Sequence, residues 1–311
     1  NNDDNLYEFG FGFFCEIAGS GINGVFDLLL NFILELFQTD KIPETLVGLF
    51  VLYSIIEYSR YAISTKLNQI LQLIFLCCNN NNNDIIFSSA CRVISEMIDF
   101  MSSDLTPFID DISYFLLHNI SHSDSLTTLD KLFYQCDKPP SSFNEIVCLF
   151  SSLIQNSTNI QAQQIISCLS SLLPQLNDSA EKLIIDLFPI LNNLLNNRIA
   201  LHGKILDFFG LVAKTVPNLI KNELNNLINL GIDSLTLDDD YFTNASIADC
   251  FGNLINVLPS SMSYYLDQIV PPLIVILQED FDDLLDFQKE QLIISKSSSM
   301  VSLSKFIGCL P

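Results

Sequence analysis

Two carboxylate clusters are the polar features of this sequence whose type and spacing could do chemistry. The stretch LTLDDDYF carries Asp238, Asp239 and Asp240, with Asp233 nearby. The stretch LQEDFDDLLDF carries Glu279, Asp280, Asp282, Asp283 and Asp286. Neither has the DxDxDG opening and closing glutamate of a calcium loop. Solvated carboxylates in a row instead attract Lys/Arg-rich segments or, more plainly, keep a turn in water. His118 and His122 stand four apart, but Ser121 and Ser123 mark a turn between them and no HExxH pattern is present, so no metal site is expected. No GxSxG, Walker A loop or GxGxxG occurs, and FGFG at 9–12 shares only composition with a phosphate loop. Neither an enzyme nor a cofactor is expected. The nine cysteines are irregularly spaced and sit mostly in apolar stretches, as small buried hydrophobes in a reducing compartment would. Four Asn-x-Ser/Thr sequons, at Asn119, Asn156, Asn177 and Asn244, carry no weight in a chain so rich in asparagine.

The elements that position these clusters follow from composition and period. Of 311 residues, 49% are apolar and only 16% charged, with 36 acidic against 14 basic for a net charge of −22. Such a surface repels phosphate, so nucleic acid is not an expected partner, and it attracts basic proteins. The longest low-polarity run, LVGLFVLYSII at 46–56, ends at Glu57, short of the ~18–20 residues that cross a bilayer, so no membrane partner is expected. NNDDNLYEF does not have the pattern of a signal peptide. Apolar residues recur at i, i+3, i+4 and i+7 almost throughout, as in Ile205, Phe208, Phe209, Val212 and Val216. Asn-Asn, Ser-Ser, Asp-Asp and Pro-Pro steps mark breaks.

A repeat underlies the stripes. FFGLVAKTVPNLI at 208–220 returns as CFGNLINVLPSSM at 250–262, aligning Gly210 with Gly252 and Pro217 with Pro259, and the apolar stripes close at intervals of about 36–42 residues. Two helices and two turns fill such an interval, the length of HEAT or armadillo units. The expected fold is therefore all-α, an α-α superhelix (solenoid) with right-handed stacking and no sheet. We expect residues 1–311 to form a single solenoid of about seven helix pairs, a fragment of a longer chain. The pairs are 22–38 with 43–59, 63–78 with 85–101, 105–120 with 123–136, 143–155 with 158–173, 179–195 with 199–216, 218–235 with 241–258, and 262–279 with 287–310, after a half unit at 5–19. Stacked pairs bury a core that no pair buries alone. Gly210 and Gly252 fall inside second helices, where glycine costs roughly 1 kcal/mol against alanine, so a close neighbour is expected there. Gly308 and Pro311 read as a looser third instance, and the run NNNNND at 79–84 as a tolerated insertion between helices. Both carboxylate clusters fall in the turn between the two helices of their units.

The last third of the chain resembles the importin-β (karyopherin-β) family of nuclear transport receptors. LHGKILDFFGLVAKTVPNLIKNELNNLINLGIDSL and NASIADCFGNLINVLPSSMSYYLDQIVPPLIVILQ carry the family's cadence: a helix with a late Gly step, a short turn, then a "P-x-L" helix. SKSSSMVSLSKFIGCLP is similar to its Ile-Gly helix with a terminal Pro. The resemblance implies a transportin-like or importin-4/5-like receptor moving between cytoplasm and nucleus. Its implied partners are basic cargo proteins with nuclear localisation signals, Phe-Gly nucleoporins, and Ran GTPase through repeats N-terminal to this segment. Acidic intra-repeat loops and inner helices serve basic ligands in that family. On that reading Asp238, Asp239, Asp240, Glu279, Asp280, Asp282 and Asp283 are the cargo-binding residues. Transportin-like receptors hold cargo with inner-surface tryptophans; this chain has none, and the position matching one of them is Asp249, which joins the candidates. The alternative is a HEAT scaffold outside transport, of phosphatase, condensin or translation type.

Overall fold

The computed structural model describes residues 2–20, 24–39, 41–81, 83–176, 180–237, 240–281 and 284–308. By packing they divide into two compact units, Asn1–Ser142 and Phe143–Pro311. Among the described residues every regular element is helical.

In the first unit, α1 (Asn2–Gly19) is followed by three helix pairs: α2 (Val25–Phe37) with α3 (Ile42–Thr65), α4 (Leu67–Asn81) with α5 (Asp84–Leu105), and α6 (Ile109–His118) with α7 (Ser123–Gln135). In the second unit, α8 (Phe143–Ile154) pairs with α9 (Asn159–Leu172), α10 (Ala180–Asn197) with α11 (His202–Thr215), and α12 (Pro217–Leu237) with α13 (Tyr241–Val257). The short α14 (Pro259–Met262) then leads into α15 (Leu266–Gln278), which pairs with α16 (Asp286–Gly308). The pairs are those expected from the periodicity, and the fold is an all-α solenoid of HEAT type.

Apolar stripes make these helices. In α5, Ile86, Ala90, Val93, Ile94, Met97 and Ile98 are all buried, and each large aliphatic side chain contributes about 1.5–3 kcal/mol by leaving water. Polar side chains set the starts. Asn83 accepts the backbone N–H groups of Ile85 and Ile86 at the head of α5, and Thr158 and Gln161 close a capping box on α9. The asparagine run is therefore less of a loop than expected. Helix α4 continues through Asn81, and Asn83 caps the next helix. Pro139-Pro140 does lie outside helix, whereas Pro271 and Pro272 sit inside α15, as Pro189 does inside α10, each removing one backbone donor.

Second helices stack on one another, α1, α3, α5 and α7 in the first unit and α9, α11, α13 and α16 in the second. Glycine sets their spacing. A Cβ on Gly203 would stand 2.9 Å from the Cα of Thr243, and one on Gly210 would stand 2.9 Å from the Cα of Cys250. A Cβ on Gly252 would collide with the Ser302 hydroxyl and meet Lys305 Nζ at 3.2 Å. The close approach expected at Gly210 and Gly252 is thus present, and it recurs across α11/α13 and α13/α16. Helix α3 is long and apolar enough to cross a membrane by length and composition, more than its interrupted sequence suggested. Its Leu49, Leu52, Ile55, Ile56 and Ile63 are all packed inside the first unit.

Candidate functional site

The two acidic turns occupy equivalent places, one between α12 and α13 and the other between α15 and α16. Asp238, Asp239, Asp282 and Asp283 lie outside the described residues. Asp240 is exposed and caps α13: one carboxylate oxygen accepts the N–H of Phe242 at 3.0 Å, the other the hydroxyl of Thr243 at 2.9 Å. Glu279 is half-buried, and its carbonyl accepts the ammonium of Lys296, which also lies 4.6 Å from the Phe281 ring centroid. Asp280 is exposed, and Asp286 opens α16 with Lys289 at 3.5 Å. Asp240 and Asp286 therefore serve helix ends, whereas the Glu279 contact is made by its backbone and Asp280 faces solvent.

Asp249 has a different setting. It is half-buried on α13 and accepts the Ser298 hydroxyl of α16 at 3.0 Å. Burial raises its pKa, opposed by the Ser298 hydrogen bond and by Lys305. One repeat earlier, Asp207 on α11 is also half-buried. Burial raises its pKa against the pull of Lys204, and Asp249 raises it further. Each aspartate precedes a seam glycine by three residues, Gly210 or Gly252. The spacing that revealed the glycines could have revealed Asp207, which sequence reasoning missed.

The first unit holds a feature that the carboxylate clusters did not signal. A groove of about 730 Å³ opens between α3, α5 and α7. Leu46, Val47, Phe50 and Tyr53 of α3 and Ile85 of α5 give it an apolar wall; Ser88, Arg92 and Glu96 of α5 and Asp124 and Thr127 of α7 give it a polar one. Phe14 lies against Phe50 and Phe11 against Tyr53, with ring centroids 6.4 and 5.9 Å apart. Ser88 donates to Asp124, and Lys131 donates to Asp99. Burial raises the pKa of Glu96, Asp99 and Glu57 add to the rise, and Lys131 opposes it. The signal for this groove was the stripe Val47, Phe50 and Tyr53 of α3, which flanks the core stripe.

The histidines do not converge. His118 ends α6 and stacks on Tyr114, His122 precedes α7 beside Phe87 and 3.7 Å from Asp84, and His202 is buried with Nδ1 2.6 Å from the Ser234 hydroxyl. Among the described residues no three His, Cys, Asp or Glu side chains gather as a metal site.

This architecture of stacked helix pairs is that of the karyopherin solenoids. The chain is similar along its whole length to the karyopherin Kap121p, with a TM-score of 0.76 at 15% identity, and spans 34% of that chain. The similarity extends to Kap121p bound to the SUMO protease Ulp1p and to Kap121p bound to Nup53p, each with a TM-score of 0.78 at 13% identity, this chain spanning 33% of the other. No protein-family model matches the sequence, and no curated protein does.

Proposed function

We propose that the chain is a segment of a karyopherin-β import receptor that binds basic cargo carrying nuclear localisation signals and moves between cytoplasm and nucleus. The observation that carries this reading is the likeness of the whole chain to a karyopherin solenoid that has been crystallised with protein partners, Pho4p, Ste12p, Ulp1p and Nup53p among them. A net charge of −22 supports a basic ligand over an acidic one. The role is binding rather than catalysis. Cargo would meet Asp238, Asp239 and Asp240 in one turn and Glu279, Asp280, Asp282 and Asp283 in the next, with Asp249 on the adjoining second helix. Phe-Gly nucleoporins are further partners of this reading, as is Ran GTPase through repeats preceding these.

Exposed pairs contribute no more than ~1 kcal/mol each, so several must act together, and binding weakens with salt. The test is fluorescence anisotropy with a Lys/Arg-rich import-signal peptide at two salt concentrations. The natural chain is compared with a variant carrying Asn at Asp238, Asp239, Asp240, Asp280, Asp282 and Asp283. Asparagine also caps helices, so the variant keeps α13 in place. Weaker binding by the variant supports the proposal; equal affinity at low salt removes the turns from it. Capture by GTP-loaded Ran separates a transport receptor from a HEAT scaffold.

A further inference from the structure

The groove of the first unit differs in kind from the acidic turns of the second. It follows α5 from Ile85 to Glu96, about three helical turns. Its volume of about 730 Å³ is that of a ligand cleft rather than a packing fault. Val47 of α3 and Ile85 of α5, on two of its sides, are 44% and 62% exposed. Large apolar surface therefore faces water inside a concave site, and an apolar side chain placed there would remove it from water.

Two charges stand beside that surface, and neither is neutralised. Arg92 is exposed and, among the described residues, makes no ion pair or hydrogen bond, although the chain has 36 acidic groups to 14 basic. Glu96 is half-buried and likewise unpaired. Glu57 of α3 and Asp99 of α5 add negative charge on its side, where Lys131 is already bonded to Asp99. Arg92 and Glu96 are four residues apart, so they share one face of α5 at about 6 Å along its axis. A continuous basic run would be opposed by Arg92, and a continuous acidic run by Glu96 and its neighbours. A ligand that carries both signs is opposed by neither.

An extended backbone supplies the matching geometry. Its side chains alternate between two sides, and residues two apart stand about 7 Å from each other. That spacing fits Arg92 and Glu96, and it turns the residue between them toward the other side, where Val47, Phe50 and Tyr53 form the apolar wall.

We propose that this groove binds an extended segment of a partner protein in which one large apolar side chain stands between residues of opposite charge. The apolar side chain packs on Val47, Phe50 and Ile85, the carboxylate meets Arg92, and the Lys or Arg meets Glu96 with Glu57. The proposal does not rest on the transport reading, whose contacts lie in the other unit.

Photo-crosslinking locates such a segment even when a short peptide binds weakly. The 311-residue chain is irradiated with capped Ser/Gly peptides whose cores are Asp-Leu-Lys, Lys-Leu-Asp, Lys-Leu-Lys and Asp-Leu-Asp, the leucine replaced by its diazirine analogue. Mass spectrometry identifies the labelled residues. Label is expected on α3 between Leu46 and Tyr53 or on α5 between Ile85 and Glu96. One of the two mixed cores should give roughly fivefold or more the yield of either like-charged core. Ile85→Ser, at an exposed position, should lower that yield, and Arg92→Glu should move the preference to Lys-Leu-Lys. Label found only outside the groove overturns the proposal. Equal yield from Lys-Leu-Lys and the mixed cores also overturns it, and makes the groove a site for basic segments while leaving the transport reading standing. Failure of the acidic turns to bind an import-signal peptide would sink that reading and leave this one untouched.

Discussion

Replacing Gly210 with alanine tests the seam where backbone meets backbone. Alanine in a helix interior is worth roughly 1 kcal/mol over glycine by propensity alone, so a solvent-facing glycine should gain stability when it is replaced. At Gly210 the new methyl would stand 2.9 Å from the Cα of Cys250, with Asn253 Cβ and the Cys250 carbonyl at 3.4 Å. The obstacle is backbone, so α11 and α13 must separate, and overpacking of that kind costs about 1–3 kcal/mol. The net expectation for Gly210→Ala is a loss of up to ~2 kcal/mol. Gly12→Ala is the control, since nothing lies within 4 Å of a Cβ there, and it should gain up to ~1 kcal/mol. Gly252→Ala falls between them: the Lys305 ammonium can turn aside, and the Ser302 hydroxyl can do so by giving up its bond to the Ala248 carbonyl, while Ser302 Cβ stays at 3.3 Å. Gly252→Leu cannot be accommodated that way and should lose ~1–3 kcal/mol. Thermal and urea unfolding report all four, at about 2–4 °C per kcal/mol for units of this size. Equal melting of Gly210→Ala and Gly12→Ala would refute the reasoning, because the seam would then have slack for a methyl group.

Asp240→Ala should lose ~1 kcal/mol in urea unfolding and Asp240→Asn almost none, since only the former removes the cap on α13; matching losses would mean that charge, not capping, is what Asp240 contributes. Asp207 supplies a pH dependence. Its folded pKa is raised above the ordinary 3.8, so the folded state holds the proton more tightly than the unfolded chain does. Stability from this group therefore falls as pH rises through the raised value and recovers as pH drops toward 3.8. Asp207→Asn should melt above the natural chain at neutral pH and converge with it in acid, and a difference independent of pH would exclude the titration.

The helix pairs were legible because each needs an apolar stripe, and a stripe such as Ile86 to Ile98 shows its period in sequence. The glycine seams were legible because a mid-helix Gly is a local cost that only a neighbour offsets. The groove of the first unit was not. Phe50 and Tyr53 lie in the same apolar run, 46–56, as core residues such as Leu49 and Leu52, and only three-dimensional packing separates a stripe that faces a cleft from one that faces a partner helix. Asp249 was named as a candidate because its spacing from Gly252 matches a tryptophan position of the resembling family, and Asp207, in the same register one repeat earlier, was passed over. The acidic turns were legible as turns, but a run of aspartates does not show which of its members caps a helix, as Asp240 does.

The seam glycines and the half-buried aspartates belong to one arrangement, and it divides the acidic residues by how salt should affect them. Asp207 and Asp249 each lie three residues before a glycine, hence on the helix face that the glycine brings against the next helix. The close approach draws each carboxylate partly out of water, which raises its pKa. Between charges, lower polarity strengthens attraction, and partial burial limits screening by mobile ions. Exposed Asp240 and Asp280 have neither advantage. A basic peptide that uses both sets should therefore lose its turn contacts first as salt rises, while the contacts to the seam carboxylates persist. Anisotropy titrations across ionic strength resolve this: the turn variant should differ from the natural chain mainly at low salt, whereas Asp207→Asn with Asp249→Asn should still weaken binding near 0.15 M, where the Debye length is only about 8 Å. If the double seam variant binds like the natural chain at every salt concentration, the second-helix carboxylates of this unit do not touch cargo, and recognition rests on the turns.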